Sequence, residues 1–214
     1  MTRPPPLLRH GLVVAATLLL CACQPMGSDD RRAGRTPEFN RNPNPTQAYE
    51  ITLALEDAPG EFKSIEGFAG YSITNATCLP PSHPITGVQT AVASTRLPIS
   101  MVRTANDAYT GLVHADAFQD GNYYGHGECR WKFVGIDFDL KATGRPGETR
   151  FMASLDTDGL VGGREERRYY WAGGYPKEDI DDYPDIGSGN RGQFRPELRD
   201  EIFVIELSAK AVKP

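Results

Sequence analysis

The feature that most constrains the fold is a repeated pattern of short segments in which apolar and polar residues alternate. One example is "YEITLALE" (49–56). Its Ile51, Leu53 and Leu55 fall on one face of an extended chain, which is the pattern of a half-buried β-strand. Comparable segments, separated by Gly, Pro, Asn and Asp, follow at 62–75, 88–104, 108–118, 127–143, 148–155, 164–172 and 201–212. About seven to nine short strands with turn residues between them predict an all-β fold, a single β-sandwich or a β-barrel-like domain.

The strongest strand signal is "GECRWKFVGIDFDLKAT" (127–143). Trp131 and Phe133 begin its apolar face, and the alternation resumes past Gly135. Within 88–104, we expect Pro98 at a sheet edge, because proline cannot donate a hydrogen bond to a neighbouring strand.

The predicted core consists of Leu53, Leu55, Phe68, Ile73, Val102, Leu112, Trp131, Phe133, Phe138, Phe151, Tyr170, Phe203, Ile205 and Leu207.

The N-terminal segment has the layout of a secretory signal. A positively charged start precedes an apolar run (11–20) that is shorter than the about 20 residues needed to span a bilayer. The end of this run, "LCAC" at 20–23, resembles the lipobox of Gram-negative lipoproteins. The resemblance implies cleavage after Ala22, lipid on Cys23 and, because Gln24 follows, anchoring at the periplasmic face of the outer membrane.

Composition divides the remaining chain. Residues 23–48 are polar, rich in Pro and Asn and without an apolar period, which predicts a flexible tether. The chain then consists of a signal peptide (1–22), this tether and one β-rich domain (49–214). The formal net charge of the whole chain is −5. An acidic chain argues against a nucleic-acid partner, which requires a basic face.

The cysteine count predicts a disulfide. Once Cys21 is removed with the signal peptide and Cys23 is lipidated, two thiols remain, Cys78 and Cys129. Because the periplasm is oxidising, we expect these two residues to form one disulfide bond.

The sequence lacks the common patterns of hydrolytic sites. It has no G-x-S-x-G segment, and none of His83, His114 and His126 lies in an H-E-x-x-H arrangement. His126 lies between two glycines in "YYGHGEC". We interpret His126 as a turn residue beside the disulfide. The alternative is that it acts as a ligand or contact residue at the tip of a loop. We therefore expect no catalytic residue and no cofactor.

One segment approaches a calcium-binding motif, "SLDTDGLVGGRE" (154–165). The positions that match are Asp156, Asp158, Gly159 and Glu165. Ser154, however, stands at the first ligand position, and the flanking segments are predicted strands rather than the helices that a calcium loop joins. Asp158-Gly159 is also a preferred hairpin turn, so we expect a turn and no metal.

The segment "RYYWAGGYPKEDIDDYPDIGSGNRG" (168–192) joins aromatic residues to carboxylates in a long Gly-rich loop. Loops of this length are usually functional or disordered. Tyr and Trp supply contact area at low entropic cost, and acidic groups accelerate encounter with a basic partner. The candidate partner-binding residues are Tyr169, Trp171, Tyr175, Asp179, Asp182 and Tyr183. The alternative is a solvated loop whose first aromatic residues continue a strand.

The order of features resembles a known group of proteins. After the lipobox and tether come "ATCLPP", "YYGHGECRWKF" and "GETRF", with Cys78, Pro80, Gly127, Cys129 and Trp131 as anchors. This is similar to predicted lipoproteins of Gram-negative bacteria, some of which are immunity proteins against type IV or type VI secreted antibacterial effectors. The resemblance covers about 75–155 and implies a non-enzymatic periplasmic protein that binds a secreted toxin.

Three functions follow in order of preference. The first is a lipid-anchored immunity protein whose partner is a secreted effector. The second is a cell-envelope binding or assembly module that recognises wall glycan or an envelope protein, with aromatics such as Trp171 and Tyr175 stacked on sugar rings. The third is an enzyme, for which the sequence shows no set of acid, base and nucleophile.

Overall fold

The protein is a β-sandwich. The computed structural model describes residues 37–82, 84–87, 93–104 and 107–213. They form two five-stranded sheets that share one core and do not close into a barrel. The strands are β1 (Ala48–Glu56), β2 (Ser64–Ile73), β3 (Ser94–Ile99), β4 (Val102–Arg103), β5 (Ala108–His114), β6 (Trp131–Lys141), β7 (Arg150–Asp156), β8 (Glu166–Trp171), β9 (Pro184–Asp185) and β10 (Ile202–Val212). The helical elements are α1 (Thr157–Gly162) and 3-10 turns at Ala76–Cys78, Ala172–Gly174, Arg191–Gln193 and Pro196–Glu201.

The strand order explains how the chain moves between the sheets. The first sheet has the order β4-β5-β1-β10-β8 and the second has the order β3-β2-β6-β7-β9. Neighbouring strands are antiparallel except β7 and β9, which are parallel. Every predicted strand segment contains a strand, and 88–104 contains two, β3 and β4, in different sheets. Pro98 lies in β3, which is an edge strand as predicted.

The apolar pattern of β6 is confirmed. Phe133, Ile136 and Phe138 are all buried. Phe133 and Ile136 are three positions apart, so in a regular strand they would face opposite sides. The register of β6 against β2 shifts at this point and leaves Val134 without a partner in β2. Gly135 has φ +147°, and a Cβ there would lie 2.9 Å from the carbonyl oxygen of Leu155. The glycine therefore allows a β-bulge that keeps both halves of β6 facing the core.

Some of the core predictions are wrong. Val102 is 65% exposed and Leu112 is 53% exposed. In β5 the buried side chains are Tyr109 and Val113, and Leu112 has the opposite parity, so it points outward. "AYTGLVH" places apolar residues on both faces, so alternation alone did not identify the inner one.

The other expected core residues divide into two groups. Those that are buried are Leu53, Ile73, Phe133, Phe138, Phe151, Tyr170, Phe203, Ile205 and Leu207. Those that are partly buried are Leu55, Phe68 and Trp131. Phe68 points outward, and its ring lies 4.6 Å from the guanidinium carbon of Arg96, which is a cation–π contact.

Two buried tyrosines connect the sheets. The Tyr71 hydroxyl, on β2, donates to the carbonyl oxygen of His114 on β5 at 2.7 Å. The Tyr170 hydroxyl, on β8, donates to the carbonyl oxygen of Met152 on β7 at 2.6 Å. Tyr71 belongs to the core, and burial raises its pKa to about 12. Each hydrogen bond satisfies a polar group that would otherwise be costly to bury.

The connection from β7 to β8 corrects the predicted hairpin turn. Asp158 and Gly159 lie inside α1 rather than in a two-residue turn. The Asp156 carboxylate caps this helix by accepting from the Gly159 N–H at 2.7 Å. Since β7 and β8 belong to different sheets, a tight hairpin cannot join them.

The domain begins before the boundary expected from composition. Residues 37–47, part of the predicted tether, pack against the sandwich. The ring of Phe39 lies edge-on to Trp131 with centroids 4.8 Å apart. The guanidinium carbon of Arg41 lies 5.1 Å from the ring centre of Phe118. Composition alone therefore did not show that Phe39 and Arg41 in this segment pack on the domain.

The predicted signal peptide (1–22), the lipidation site Cys23 and His83 lie outside the described residues. In the part of the chain that the structure describes, no helix has the length and hydropathy needed to cross a membrane.

Candidate interaction surface

The two ends of the sandwich carry different loops. We call one end the disulfide end; it consists of 37–47, 74–79 and 115–130. At this end Cys78 and Cys129 form the predicted disulfide, with Cα atoms 5.2 Å apart, which lies within the usual range. Both cysteines are buried.

The turn around His126 belongs to the disulfide end. The Asn122 Oδ1 atom accepts from the Gly125 N–H at 2.8 Å and from the Gly127 N–H at 3.3 Å. Both glycines have positive φ, a conformation that most other residues adopt only with strain. His126 therefore lies in a glycine-dependent turn, as interpreted from the sequence.

We call the opposite end the acidic end; it consists of the loops 57–63, 142–149 and 172–185 with Arg103 and Asp107. Its carboxylates are Asp57, Glu61, Asp107, Glu148, Glu178, Asp179, Asp181, Asp182 and Asp185, and its basic residues are Lys63, Arg103, Arg145 and Lys177. The excess of carboxylates gives this end a negative potential.

The loop 172–185, called the acidic loop below, is held by one buried side chain. Thr149 is fully buried. Its Oγ1 donates to the carbonyl oxygen of Gly174 at 2.8 Å and accepts from the Glu178 N–H at 2.9 Å. Its own N–H donates to the carbonyl oxygen of Pro176 at 3.1 Å. Thr149 thus fixes both sides of the first bend of the loop.

Tyr175 supplies a second attachment. Its hydroxyl donates to the carbonyl oxygen of Glu61 at 2.7 Å, and its ring lies edge-on to Phe62 with centroids 5.3 Å apart. A Cβ at Gly60 would lie 2.7 Å from the Tyr175 hydroxyl oxygen, so the ring rests directly on the backbone. Burial raises the pKa of Tyr175. This residue, predicted from the sequence to contact a partner, joins the acidic loop to the loop 57–63.

Ion pairs hold the tip of the acidic loop. The Lys177 Nζ lies 2.6 Å from Asp181 Oδ1, and the Lys141 Nζ lies 2.7 Å from Asp182 Oδ1. The hydrogen bond from Lys141, followed by one from the Gly147 N–H, lowers the pKa of Asp182. Asp182 also has φ +53°, so it closes a tight turn.

The end of the acidic loop continues the second sheet. The Arg150 N–H donates to the carbonyl oxygen of Tyr183 at 2.8 Å, next to the parallel pairing of β7 with β9. Burial raises the pKa of Asp185, and the hydrogen bond from the Gly187 N–H opposes that rise. The chain then reaches β8, where Ser188 forms a bridge with Tyr169.

A buried carboxylate orders the neighbouring loop 142–149. Glu148 accepts from the Thr143 N–H at 2.8 Å and from the Gly144 N–H at 3.0 Å, and the Thr143 hydroxyl also donates to it. Burial favours the neutral acid, but these hydrogen bonds outweigh it and lower the pKa of Glu148. Both loops that flank Thr149 are therefore fixed by internal hydrogen bonds.

A cavity of about 430 Å³ lies at the acidic end between the loop 57–63 and the end of β4. Arg103 bridges two of its carboxylates, with 3.0 Å to Glu61 and 2.6 Å to Asp107. Arg103, Glu61 and Asp107 thus pair with one another at the cavity wall.

Two aromatic candidates, Tyr169 and Trp171, lie in β8 before the acidic loop and mainly contact other parts of the domain. Tyr169 is half-buried in β8. The Trp171 Nε1–H donates to a carboxylate oxygen of Glu201 at 3.0 Å. A Cβ at Gly173 would lie 2.1 Å from the Trp171 ring, so Gly173 covers part of the indole.

The exposed residues are at the tip of the acidic loop. Asp179 and Tyr183 face solvent as expected, and Ile180 is 64% exposed. Sequence reasoning missed Ile180 and the exposed Ile186. The segment "EDIDD" contained the signal, because an isoleucine between carboxylates on both sides is unlike a core position.

In the segment that approaches a calcium-binding motif, the side chain of Asp156 has partners within the protein. The Asp156 carboxylate also accepts from Arg164 Nη2 at 2.9 Å, so a helix cap and an arginine occupy it. Among the described residues, no group of three or more His, Cys, Asp or Glu side chains is placed to hold a metal ion.

Comparisons of the chain with protein-family models, with curated proteins and with solved structures find no match.

Proposed function

We propose that this protein is a lipoprotein anchored at the periplasmic face of the outer membrane, where it binds and neutralises an antibacterial effector without catalysis. One observation carries the proposal. The acidic loop exposes Asp179, Ile180 and Tyr183 on a backbone that Thr149 and Tyr175 hold from inside the domain. A contact surface that is ordered before binding loses little entropy when its partner arrives.

The chemistry of the acidic end suits inhibition of a basic protein. Its negative potential accelerates the encounter with a positively charged surface. Four of its carboxylates form ion pairs with Arg103 and Lys177 of the same end and with Lys141 at the end of β6. The surface therefore has a fixed arrangement of charges, which favours one complementary partner over many.

The position of the acidic end fits a membrane anchor. The chain enters the domain at the disulfide end, where Phe39 packs on Trp131. A lipid on Cys23 connects to that end, because the tether joins the domain there. β6 has 11 residues and so extends about 36 Å between the two ends. The acidic loop then stands on the side of the domain away from the attachment point.

Two experiments test the proposal. The gene is deleted and the strain is challenged with effector-armed sibling cells; survival is expected to fall and to recover when the full-length protein is restored. Unchanged survival against every candidate effector contradicts the proposal.

The anchor is tested with Cys23→Ser, which is expected to move the protein from the membrane fraction to the soluble periplasmic fraction. Cys21→Ser is the matched control and is expected to leave the protein on the membrane. A Cys23→Ser protein that stays in the membrane fraction rejects the lipid anchor.

A further inference from the structure

The tip of the acidic loop carries an apolar side chain that contributes little to the fold. Ile180 is 64% exposed and is absent from the core cluster. Its neighbours in the chain are Asp179 and Asp181. Burying this side chain in a complex would remove apolar surface from water, which favours association.

We infer that Ile180 enters an apolar pocket of a protein partner whose rim carries lysine or arginine side chains, an inference that rests on the proposed function. The pairing of Asp181 with Lys177 leaves the partner to complement Asp179, which forms no ion pair with any residue of the described ranges. A basic rim around an apolar pocket supplies that charge.

The loop presents Ile180 in a fixed position. The Lys177–Asp181 ion pair spans Ile180, and Asp182, on its C-terminal side, pairs with Lys141. On its N-terminal side, the Glu178 N–H is hydrogen-bonded to Thr149 Oγ1. Backbone freedom around Ile180 is therefore restricted before any complex forms, which reduces the entropy lost on binding.

The flanking charges distinguish a protein partner from a membrane. Anionic lipid headgroups attract basic segments, whereas Ile180 lies between carboxylates. Insertion into such a bilayer would bring Asp179 and Asp181 against like charge. A basic protein surface makes the same two charges favourable.

The test uses the full-length lipoprotein, expressed in the deletion strain and challenged with effector-armed sibling cells. Ile180→Lys adds a charge where the apolar contact is expected. Val161→Lys is the matched control, because Val161 is 60% exposed in α1, outside the acidic end. We expect Ile180→Lys to reduce survival by about tenfold or more and Val161→Lys to leave it unchanged. Asp179→Lys is expected to reduce survival by less.

Thermal unfolding of each purified variant separates lost contact from lost folding, and all three lysine variants are expected to melt like the wild type. The outcomes are distinct. If the wild type gives no protection, the proposed function fails and this inference fails with it. If the wild type protects and Ile180→Lys protects equally, the inference is overturned while the function stands. Equal loss in Ile180→Lys and Val161→Lys also overturns it.

Discussion

The long loops of the disulfide end and those of the acidic end are ordered by different interactions. At the disulfide end, a covalent bond joins residues with a sequence separation of 51, and Trp131 stacks on Phe118 with centroids 5.0 Å apart. At the acidic end, order comes from the hydrogen bonds of Thr149 and the ion pair of Lys141 with Asp182. The disulfide end adds a cross-link and aromatic stacking to its hydrogen bonds. The acidic end is ordered mainly by polar contacts, together with the packing of Tyr175 on Phe62.

The difference has a physical consequence. A disulfide acts mainly by restricting the unfolded chain, and aromatic packing does not depend on protonation. Hydrogen bonds and exposed ion pairs contribute less and respond to pH and salt. We therefore expect global stability to depend on the disulfide end, and local order of the proposed contact surface to depend on the acidic end.

Removing the disulfide should give the largest effect. Cys78→Ala with Cys129→Ala is expected to lower the free energy of unfolding by about 4 kcal/mol in the chain-entropy model, measured by urea denaturation. Hydrogen exchange in the acidic loop of the folded variant should match that of the wild type. A loss below about 1 kcal/mol would show that packing alone holds the disulfide end.

Replacing the central hydrogen-bonding group of the acidic end should give the next largest effect. Thr149→Val keeps the shape but leaves the Gly174 carbonyl and the Glu178 N–H without their partner, at an expected cost of about 2 kcal/mol. Hydrogen exchange should increase in 174–185 and stay unchanged near the disulfide. Thr52→Val, on the outer face of β1, is the control and should change little. Uniform destabilisation of the whole domain by Thr149→Val would contradict the division into two ends.

Acid should loosen the tip of the acidic loop. Because Lys141 lowers the pKa of Asp182 in the folded protein, this ion pair stabilises the loop above the unfolded pKa of about 3.9. The stabilisation is lost as the pH falls through the lower, folded pKa. Hydrogen exchange of 177–183 should therefore increase below about pH 4. Lys141→Met should show that increase already at neutral pH, and equal exchange in both proteins across this range would reject the role of the pair.

Asp185 should give the smallest effect, with the opposite sign. Burial raises its pKa in the folded state, so its ionisation opposes folding as the pH rises through that raised value. Asp185→Asn retains an oxygen that accepts from the Gly187 N–H and removes the charge. Thermal unfolding at neutral pH is expected to show a gain of less than about 1 kcal/mol. A clear loss of stability would mean that the charge itself is needed at this position.

Much of the fold was predictable because it depends on local patterns. The alternation in β1 and β6 identified strands and their inner faces, including the change of phase past Gly135. β5 was harder, because apolar residues occupy both faces and only its neighbours decide that Val113 is buried and Leu112 exposed.

The candidate surface was predictable only as a region. The sequence placed it in 168–192 but could not tell which aromatic residues serve the fold. Tyr175 and Trp171 find hydrogen-bond partners in Glu61 and Glu201, which are distant in sequence. Ile180 was missed, although the carboxylates on both sides of it in the sequence indicate a surface position.

The sequence by itself determined the β class, the strand segments and the pairing of Cys78 with Cys129, because strand periodicity and cysteine parity are properties of the chain. The tertiary structure decided that β3 and β4 enter different sheets, that residues 37–47 belong to the domain and that Thr149 orders the acidic loop. Those outcomes depend on contacts between residues far apart in the chain, and such contacts form only when the two sheets pack around a common core.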